Sequence, residues 1–447
     1  MFADDIVLIA ENREELEKLM EVTYEYSKKW RFSFNFDKCA VLVFGGVQAK
    51  ENLEYGQCVD KCTCGFHWKL GKTLITETCI YKYLGVELDR RLTSVDFKKR
   101  IADKARVNRA RVWRMGMNTG ALSVPACINL WEALVRSILE YGAEVWGEGE
   151  WEEAELIQRE MGRRILRCNS KTTNEAVLGE LGWWRMKTRR DFIKLKYWIN
   201  VVLMEDSRLV KQIYKHSKST YQNRWTRNWT STIHELLLKY DLVHLWQDES
   251  ILTRLDNFEG AEEWADRTVK GHRRFWTQLI KKKIHEEEEK EWKKAMEKKP
   301  KLRTYQTVKD KLVLEEYLKI NTNAKSRQIA TSLRTGSNNL RIETGRWTRP
   351  KEKVEDRLCM ECMNGAIEDE KHFLIECEIY DDLRERMYRQ IEIDTNDIVR
   401  FDLMTNEEKW TTLIKGKIEI ATKKQNEIVI KHVQKFMQNA MARRSKI

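Results

Sequence analysis

The sequence predicts a mostly α-helical protein with a small α+β part at its N-terminal end. Three observations lead there. Only 3 prolines occur in 447 residues, and Glu, Lys, Arg and Leu are abundant, a composition that suits long helices. Strand-like apolar runs are confined to residues 1–90. From about residue 91 the apolar residues recur at helical spacing instead. With 42% apolar and 34% charged residues, the chain can bury a sizeable core and is not of the disordered class. Its length suits two to four domains.

Taken in order, "DIVLIA" (Asp5 to Ala10) predicts a short buried strand. Asn12 followed by Glu15 has the spacing of a capping box. Leu16, Leu19, Val22, Tyr26 and Trp30 then mark the inward face of a helix. "RFSFNF" alternates Phe32, Phe34 and Phe36, and "AVLVFGG" is a second apolar run closed by two glycines. After a loop rich in Cys and Gly, "LITETCIYKYLGVELD" reads as a β-hairpin. Residues 91–150 change character: Phe97, Ile101, Ala105 and Val112 share one stripe, and Phe97 to Arg114 holds 8 basic residues and 1 acidic one. Residues 120–300 read as successive amphipathic helices with Trp and Leu inward. Within them, "KKKIHEEEEKEWKKAMEKKPK" (Lys281 to Lys301) reads as a solvated surface helix ended by Pro300, the alternative being a binding tail. The stretch Leu333 to Pro350 is rich in Gly, Asn and Thr, and a last helix from Lys417 to Arg444 turns Val429, Val433, Phe436 and Ala440 inward. No repeat of fixed period is present.

The net charge of +12 and pI near 9.0 point to a polyanionic partner, nucleic acid first and an acidic membrane surface second. The 17 tryptophans read mainly as helix-packing residues, with base stacking as the lesser role. No run approaches 18 apolar residues and no secretory leader is recognisable, so a nuclear or cytoplasmic protein without a membrane span is expected. The 10 cysteines then read as thiols and metal ligands rather than a disulfide framework.

Two groups carry chemistry. Asp4 and Asp5 are adjacent, so they serve one site only if the backbone turns there. Clustered carboxylates repel unless a cation joins them, and Mg²⁺ suits oxygen ligands and substrate phosphates. An exposed turn is the plain alternative. Cys359-x2-Cys362-x9-His372-x4-Cys377 has the donor set of a closed, structural Zn²⁺ site. His372 and Cys377 stand about 140° apart on an ideal helix, so the helix must end or tighten before Cys377. Phe373 and Leu374 would pack the small core. Cys58, Cys62, Cys64 and His67 could hold a second metal, though their Cys-x-Cys spacing is tight. "LGKT" lacks the earlier glycine of a phosphate loop, "HEEEE" lacks a second His, and no Gly-x-Ser-x-Gly elbow occurs.

The run "FADDIVLIAENREELEKLMEVTYEYSKKWRFSFNFDKCAVLVFG" resembles the reverse transcriptases of LINE-type (non-LTR) retrotransposons. The resemblance implies that the Phe-Ala-Asp-Asp box is the metal-binding hairpin of a polymerase palm, with Asn35, Lys38 and Cys39 matching the segment that follows. Asp4, Asp5 and Lys38 are then the catalytic candidates, Lys38 as a proton donor or phosphate contact. Tyr81 to Asp89 is similar to the primer-grip hairpin, in which Tyr83, Leu84 and Gly85 would position the primer end. The basic helix resembles the thumb, with Lys98, Lys99, Arg100, Lys104, Arg106 and Arg109 toward nucleic acid. "LVRSILEYGAEVWG" (Leu134 to Gly147) is similar to a segment that closes the thumb. The cysteine cluster after "LRTGSNNL" resembles the C-terminal zinc knuckle of these elements; Arg334, Arg341, Arg346 and Arg357 nearby are candidate phosphate contacts, with surface solubility as the plain alternative for each. The implied organisation is a partial palm (1–90), thumb-like helices (91–150), a helical connector (151–330), the knuckle region (331–395) and a helical tail (396–447). Zn²⁺ is implied as a structural ion, Mg²⁺ for the complete polymerase, and RNA and DNA (element transcript and primer or target) as partners, with the oligomeric state open. The pattern's third carboxylate and its fingers are not matched. The expectation is therefore the C-terminal half of an RNA-directed DNA polymerase, inactive alone. The alternatives are a non-catalytic zinc-stabilised nucleic-acid-binding protein and a helical interaction scaffold.

Overall fold

The computed structural model describes residues 4–44, 67–224, 228–253, 268–416, 418 and 421–445. Contacts divide the chain into two units, Met1–Ile101 and Ala102–Ile447.

The first unit sets a helix against a small sheet. The helix Arg13–Trp30 starts where the Asn12 side chain accepts the Glu15 N–H at 2.9 Å. Glu15 answers by accepting from Glu11 N–H at 2.9 Å, one residue earlier than a capping box requires. The inward face is Leu16, Met20 and Tyr24, whereas Val22, Tyr26 and Trp30 are exposed. Two apolar stripes of helical spacing run along this helix, and spacing alone does not say which one meets the sheet. Strands β1 (Ala40–Val41), β2 (His67–Leu70) and β3 (Thr73–Glu77) lie in the order β1-β3-β2. β2 and β3 form an antiparallel hairpin, and β1 joins β3 in parallel. The "LGKT" stretch is the turn of that hairpin, with Gly71 at φ +62°. A Cβ on Gly71 would sit 2.1 Å from the Tyr24 ring, which lies across the turn. A second hairpin joins β4 (Ile80–Tyr83) and β5 (Val86–Asp89). "LITETCIYKYLGVELD" therefore spans the end of one hairpin and the whole of another. "DIVLIA" is corrected: Ile6 to Ala10 form no strand, and Ile9 is 83% exposed. Asp5 makes a single bridge that does not continue, and an apolar run not held in a ladder gains no strand geometry. Phe32 and Phe34 likewise lie in no strand and pack on each other edge to face at 5.4 Å.

The second unit is helical. Trp131, Trp198 and Trp276 are fully buried within it. The helix Val95–Val112 leads into it, burying Ala102, Ala105 and Val112. The charge-dense helix is longer than its charge run, Val269–Glu297, and ends before Pro300. It is not a solvated surface helix. Trp276, Ile280, Ile284, Glu288, Trp292 and Met296 are buried, spaced by four. Trp276, Ile280 and Ile284 pack with the helix Met186–Val202 and its neighbours, while Trp292 and Met296 join a separate cluster with Tyr305 and Leu312. Glu288 enters this stripe because Arg185 binds it at 2.7 Å and Thr188 at 2.6 Å. Burial pushes its carboxyl upward, but Arg185 outweighs that and holds it below the usual range. The last helix is Lys423–Arg444, with Val429, Val433, Phe436 and Ala440 buried as expected.

Gly182 ends the helix Asn174–Leu181 at φ +63°, and a Cβ there would lie 2.4 Å from Leu314 N. Glu315 N–H also donates to Glu180 O, at 3.1 Å, so a second backbone runs directly against the helix end. Gly182→Ala should cost at least about 1–2 kcal/mol from the left-handed backbone alone, with the steric clash added. A urea midpoint unchanged from the parent would contradict this packing.

The interior also holds an ionic network. Arg334 binds Glu180 at 3.0 Å, Glu315 at 2.7 Å and Ile414 O at 2.7 Å. The Tyr317 hydroxyl donates to Glu180 and meets Thr331 at 2.8 Å. Lys309 reaches Glu315 at 2.5 Å. Arg334, expected as a phosphate contact, is thus corrected to a core residue with 1% of its side chain exposed.

Candidate metal centre and the expected polymerase residues

Residues 357–368 fold back on themselves through a bridge between Leu358 and Ile367. Cys359 N–H donates to Ala366 O at 2.8 Å, and Met363 and Gly365 turn the chain with positive φ. This places Cys359 and Cys362 on one tight loop. The other two donors come from the helical turn that follows, where Asp369 caps His372 N–H at 2.8 Å. The turn His372–Glu376 does end before Cys377, as the spacing demands, but by widening rather than tightening. Cys377 N–H reaches back five residues to His372 O at 2.8 Å, a π-type turn. That extra residue per turn brings the fifth position round toward the first.

The result is a four-donor group. The ligand atoms of Cys359, Cys362, His372 and Cys377 all lie within 4.8 Å of one another. A tetrahedron of ~2.3 Å metal–sulfur bonds has edges of about 3.8 Å, so the group is within about an ångström of closing on an ion. His372 Nε2 is 3.4 Å from Cys362 Sγ. Its buried Nδ1 has no hydrogen-bond partner, with the Glu376 carboxylate 3.7 Å away. An acid beside the far nitrogen of a metal-binding His is the usual orienting partner. Glu376 was not recognisable from sequence, since Glu is common throughout this chain.

Burial pushes the Cys359 thiol up, opposed by the N–H groups of Cys362 and Glu361 that face its sulfur. Cys377 is pushed up to about 12, by burial and then by the neighbouring Cys359 and Cys362, against one N–H from Ile379. A bound divalent ion reverses the sign and holds these thiols as thiolates. Phe373 and Leu374 are buried beneath the group, with Tyr380 edge-on to Phe373 at 5.0 Å. The module is stitched into the unit: Arg384 donates to Leu374 O and Cys377 O, Arg443 to Ile379 O, and Arg444 to Glu368. Of the second cysteine cluster, Cys58, Cys62 and Cys64 lie outside the described residues; His67 opens β2.

In the first unit, Asp4 and Asp5 are exposed. The Tyr81 hydroxyl on β4 donates to Lys38 O at 3.0 Å. Burial pushes that hydroxyl's pKa upward, and Cys39 and then Asp5 add to the effect. Tyr81 therefore joins the hairpin to the Lys38 segment beside Asp5. The hairpin turn places both Leu84 (φ 47°) and Gly85 (φ 82°) in the left-handed region, as a two-residue turn between twisted strands requires. Tyr83 ends β4 beside them.

The chain is 27% identical over 176 residues to the RNA-directed DNA polymerase from mobile element jockey of Drosophila funebris, covering 37% of this chain and 17% of that protein. It is 24% identical over 176 residues to the polymerase of the same name from Drosophila melanogaster, with the same coverage. The chain is a relative of retrotransposon reverse transcriptases. It spans about a sixth of the length of these curated relatives. No protein-family profile matches it. No solved structure matches it.

In this reverse-transcriptase relative, several basic candidates are already engaged. Arg100 pairs with Glu87, Arg106 with Asp103 at 2.6 Å, and Arg109 with Glu160. Lys99 and Lys104 are exposed; Lys98, on the same helix, has partners of its own. Near the four-donor group, Arg341 pairs with Glu352 at 2.7 Å and Arg346 with Glu343 at 3.1 Å. Arg357 is 3% exposed and donates to Ile342 O and Glu352 O, both at 2.8 Å. That placement makes it a clamp on the loop rather than a phosphate contact. Trp347 was assigned to no site from sequence, yet it is 63% exposed with the Lys171 ammonium 4.4 Å from its ring centre. Among the described residues, no helix is long and apolar enough to cross a membrane.

Proposed function

We propose that this chain binds RNA and DNA as part of a retrotransposon-type RNA-directed DNA polymerase, with the Cys3His group holding a structural Zn²⁺. The observation that carries the reading is the gathered four-donor group within a chain related to the jockey polymerases. Three sulfurs and one imidazole nitrogen suit Zn²⁺ and leave no open position for chemistry. Zinc bound there would hold the loop and the turn together as one rigid surface. The whole relatives are named as polymerases. For this chain the corresponding residues are Asp4 and Asp5, which would hold Mg²⁺, Lys38 beside them, and Tyr83, Leu84 and Gly85 at the primer end. Mg²⁺, when bound, supplies charge stabilisation for phosphoryl transfer. The Tyr81 bond to Lys38 O, next to Asp5, supports grouping these residues. The basic helix, through Lys98, Lys99, Arg100, Lys104, Arg106 and Arg109, would track phosphates. Zinc-module contacts would fall to Arg341 and Arg346.

The test is binding of a structured RNA across a salt series. Affinity should fall by at least about tenfold between about 50 and 200 mM salt, because phosphate contacts release counterions. A flat response, or no binding at the low end, would sink the reading.

A further inference from the structure

The helical unit contains a cleft of ≈ 840 Å³, a volume suited to a small organic ligand. None of the Cys3His donors lines it. Its wall is aromatic. Trp184 and Phe192 meet edge to face at 6.0 Å, and Trp131 stacks on Trp183 at 5.5 Å. Trp184 is held in place because its Nε1–H donates to His285 Nδ1 at 2.9 Å. The rim is mostly cationic, and its one carboxylate among the lining residues, Glu132, is paired with Arg136. Arg189 is fixed by Glu140, while Lys281 and Lys282 are exposed and, among the described residues, form no ion pair.

Two residues that line the cleft also keep a buried polar atom without a partner. Gln158 is 1% exposed, and its amide nitrogen donates to Trp184 O at 3.0 Å. That bond fixes the amide's orientation, since a carbonyl accepts only from the NH₂ side. Gln158 Oε1 is left without a partner, as is the Nε1–H of the fully buried Trp131. Buried groups in this state are destabilising unless something answers them. An aromatic wall matches the face of a nucleobase, and the lysines outside match its phosphates.

We propose that this cleft takes one unpaired nucleotide of a single-stranded RNA or DNA. The base packs against Trp184 and Phe192, and the flanking phosphates lie at Lys281, Lys282 and Arg189. The site deepens the nucleic-acid reading above and rests on it.

The full chain should be irradiated with an oligouridine carrying one 5-iodouridine, and the adduct mapped by mass spectrometry. In parallel, Lys281→Glu/Lys282→Glu is compared with Lys423→Glu/Lys424→Glu, an exposed pair on another helix. Adducts on Trp184 or Phe192 are expected. The first pair should weaken oligouridine about tenfold or more and leave a fully paired RNA hairpin within about twofold; the second should do neither. Free uridine monophosphate as competitor distinguishes a strand from a lone nucleotide: displacement only at far higher concentration supports the strand. Adducts confined to other residues, or equal losses in the two pairs, would overturn the cleft while hairpin binding leaves the wider reading standing. No binding of either RNA would overturn both.

Discussion

Removing the metal with a chelator is expected to release the segment from Cys359 to Tyr380 from its fold. Two of its thiols, Cys359 and Cys377, are buried and crowd each other and Cys362, with backbone N–H groups partly offsetting them. Without a cation the four donors gain nothing from being within 4.8 Å. The remaining local core is small, essentially Phe373, Leu374 and Tyr380. Structural zinc contributes on the order of 10–16 kcal/mol in peptides of this size. The clamps from Arg384, Arg443 and Arg444 should keep the rest of the unit folded. Amide exchange should therefore speed up in the segment first, with one zinc lost per chain by elemental analysis. Cys359→Ser should reproduce both effects. Protection that survives metal removal would show that packing, not the ion, holds the module.

Arg334→Ala is expected to destabilise the helical unit by about 3–5 kcal/mol, the range for breaking a buried ion pair from one side. The substitution leaves Glu180, 0% exposed, and Glu315 without their cation in the interior. It also removes a donor to Ile414 O, which ties the helix Ala324–Arg334 to the helix Asn406–Lys415. Pairing it with Glu180→Leu should recover part of the loss, because the stranded charge is then gone as well. Urea unfolding of the two single variants and the double measures this coupling. A loss below about 1 kcal/mol for Arg334→Ala would contradict the buried ionic network around Arg334.

The same residue shows where sequence reading stops. Arg334 stood in a basic, Gly-rich context beside the cysteine cluster, and nothing local distinguishes a phosphate contact from a core cation. Its partners Glu180 and Glu315 are 154 and 19 residues away. The four metal donors were legible because their spacing is itself the signal, and so were the inward faces of the helices Val95–Val112 and Lys423–Arg444. The inward face of Arg13–Trp30 was not, because Val22, Tyr26 and Trp30 repeat as regularly as Leu16, Met20 and Tyr24. The aromatic cleft was invisible for another reason. Its residues come from Trp131 through Leu314, and only the three-dimensional fold brings Gln158 and Lys281 to one space.

The long helix Val269–Glu297 has a mechanical consequence. Residues four apart advance about 40° beyond a full turn, so the line from Trp276 to Met296 winds roughly 200° around the rod. The helix thus presents nearly opposite sides to two cores at its two ends. It behaves as a crankshaft: turning one journal turns the other. Neither core can repack by rotating this helix without levering its neighbour out of register, and the buried Glu288, pinned by Arg185 near mid-shaft, sets the angle between them.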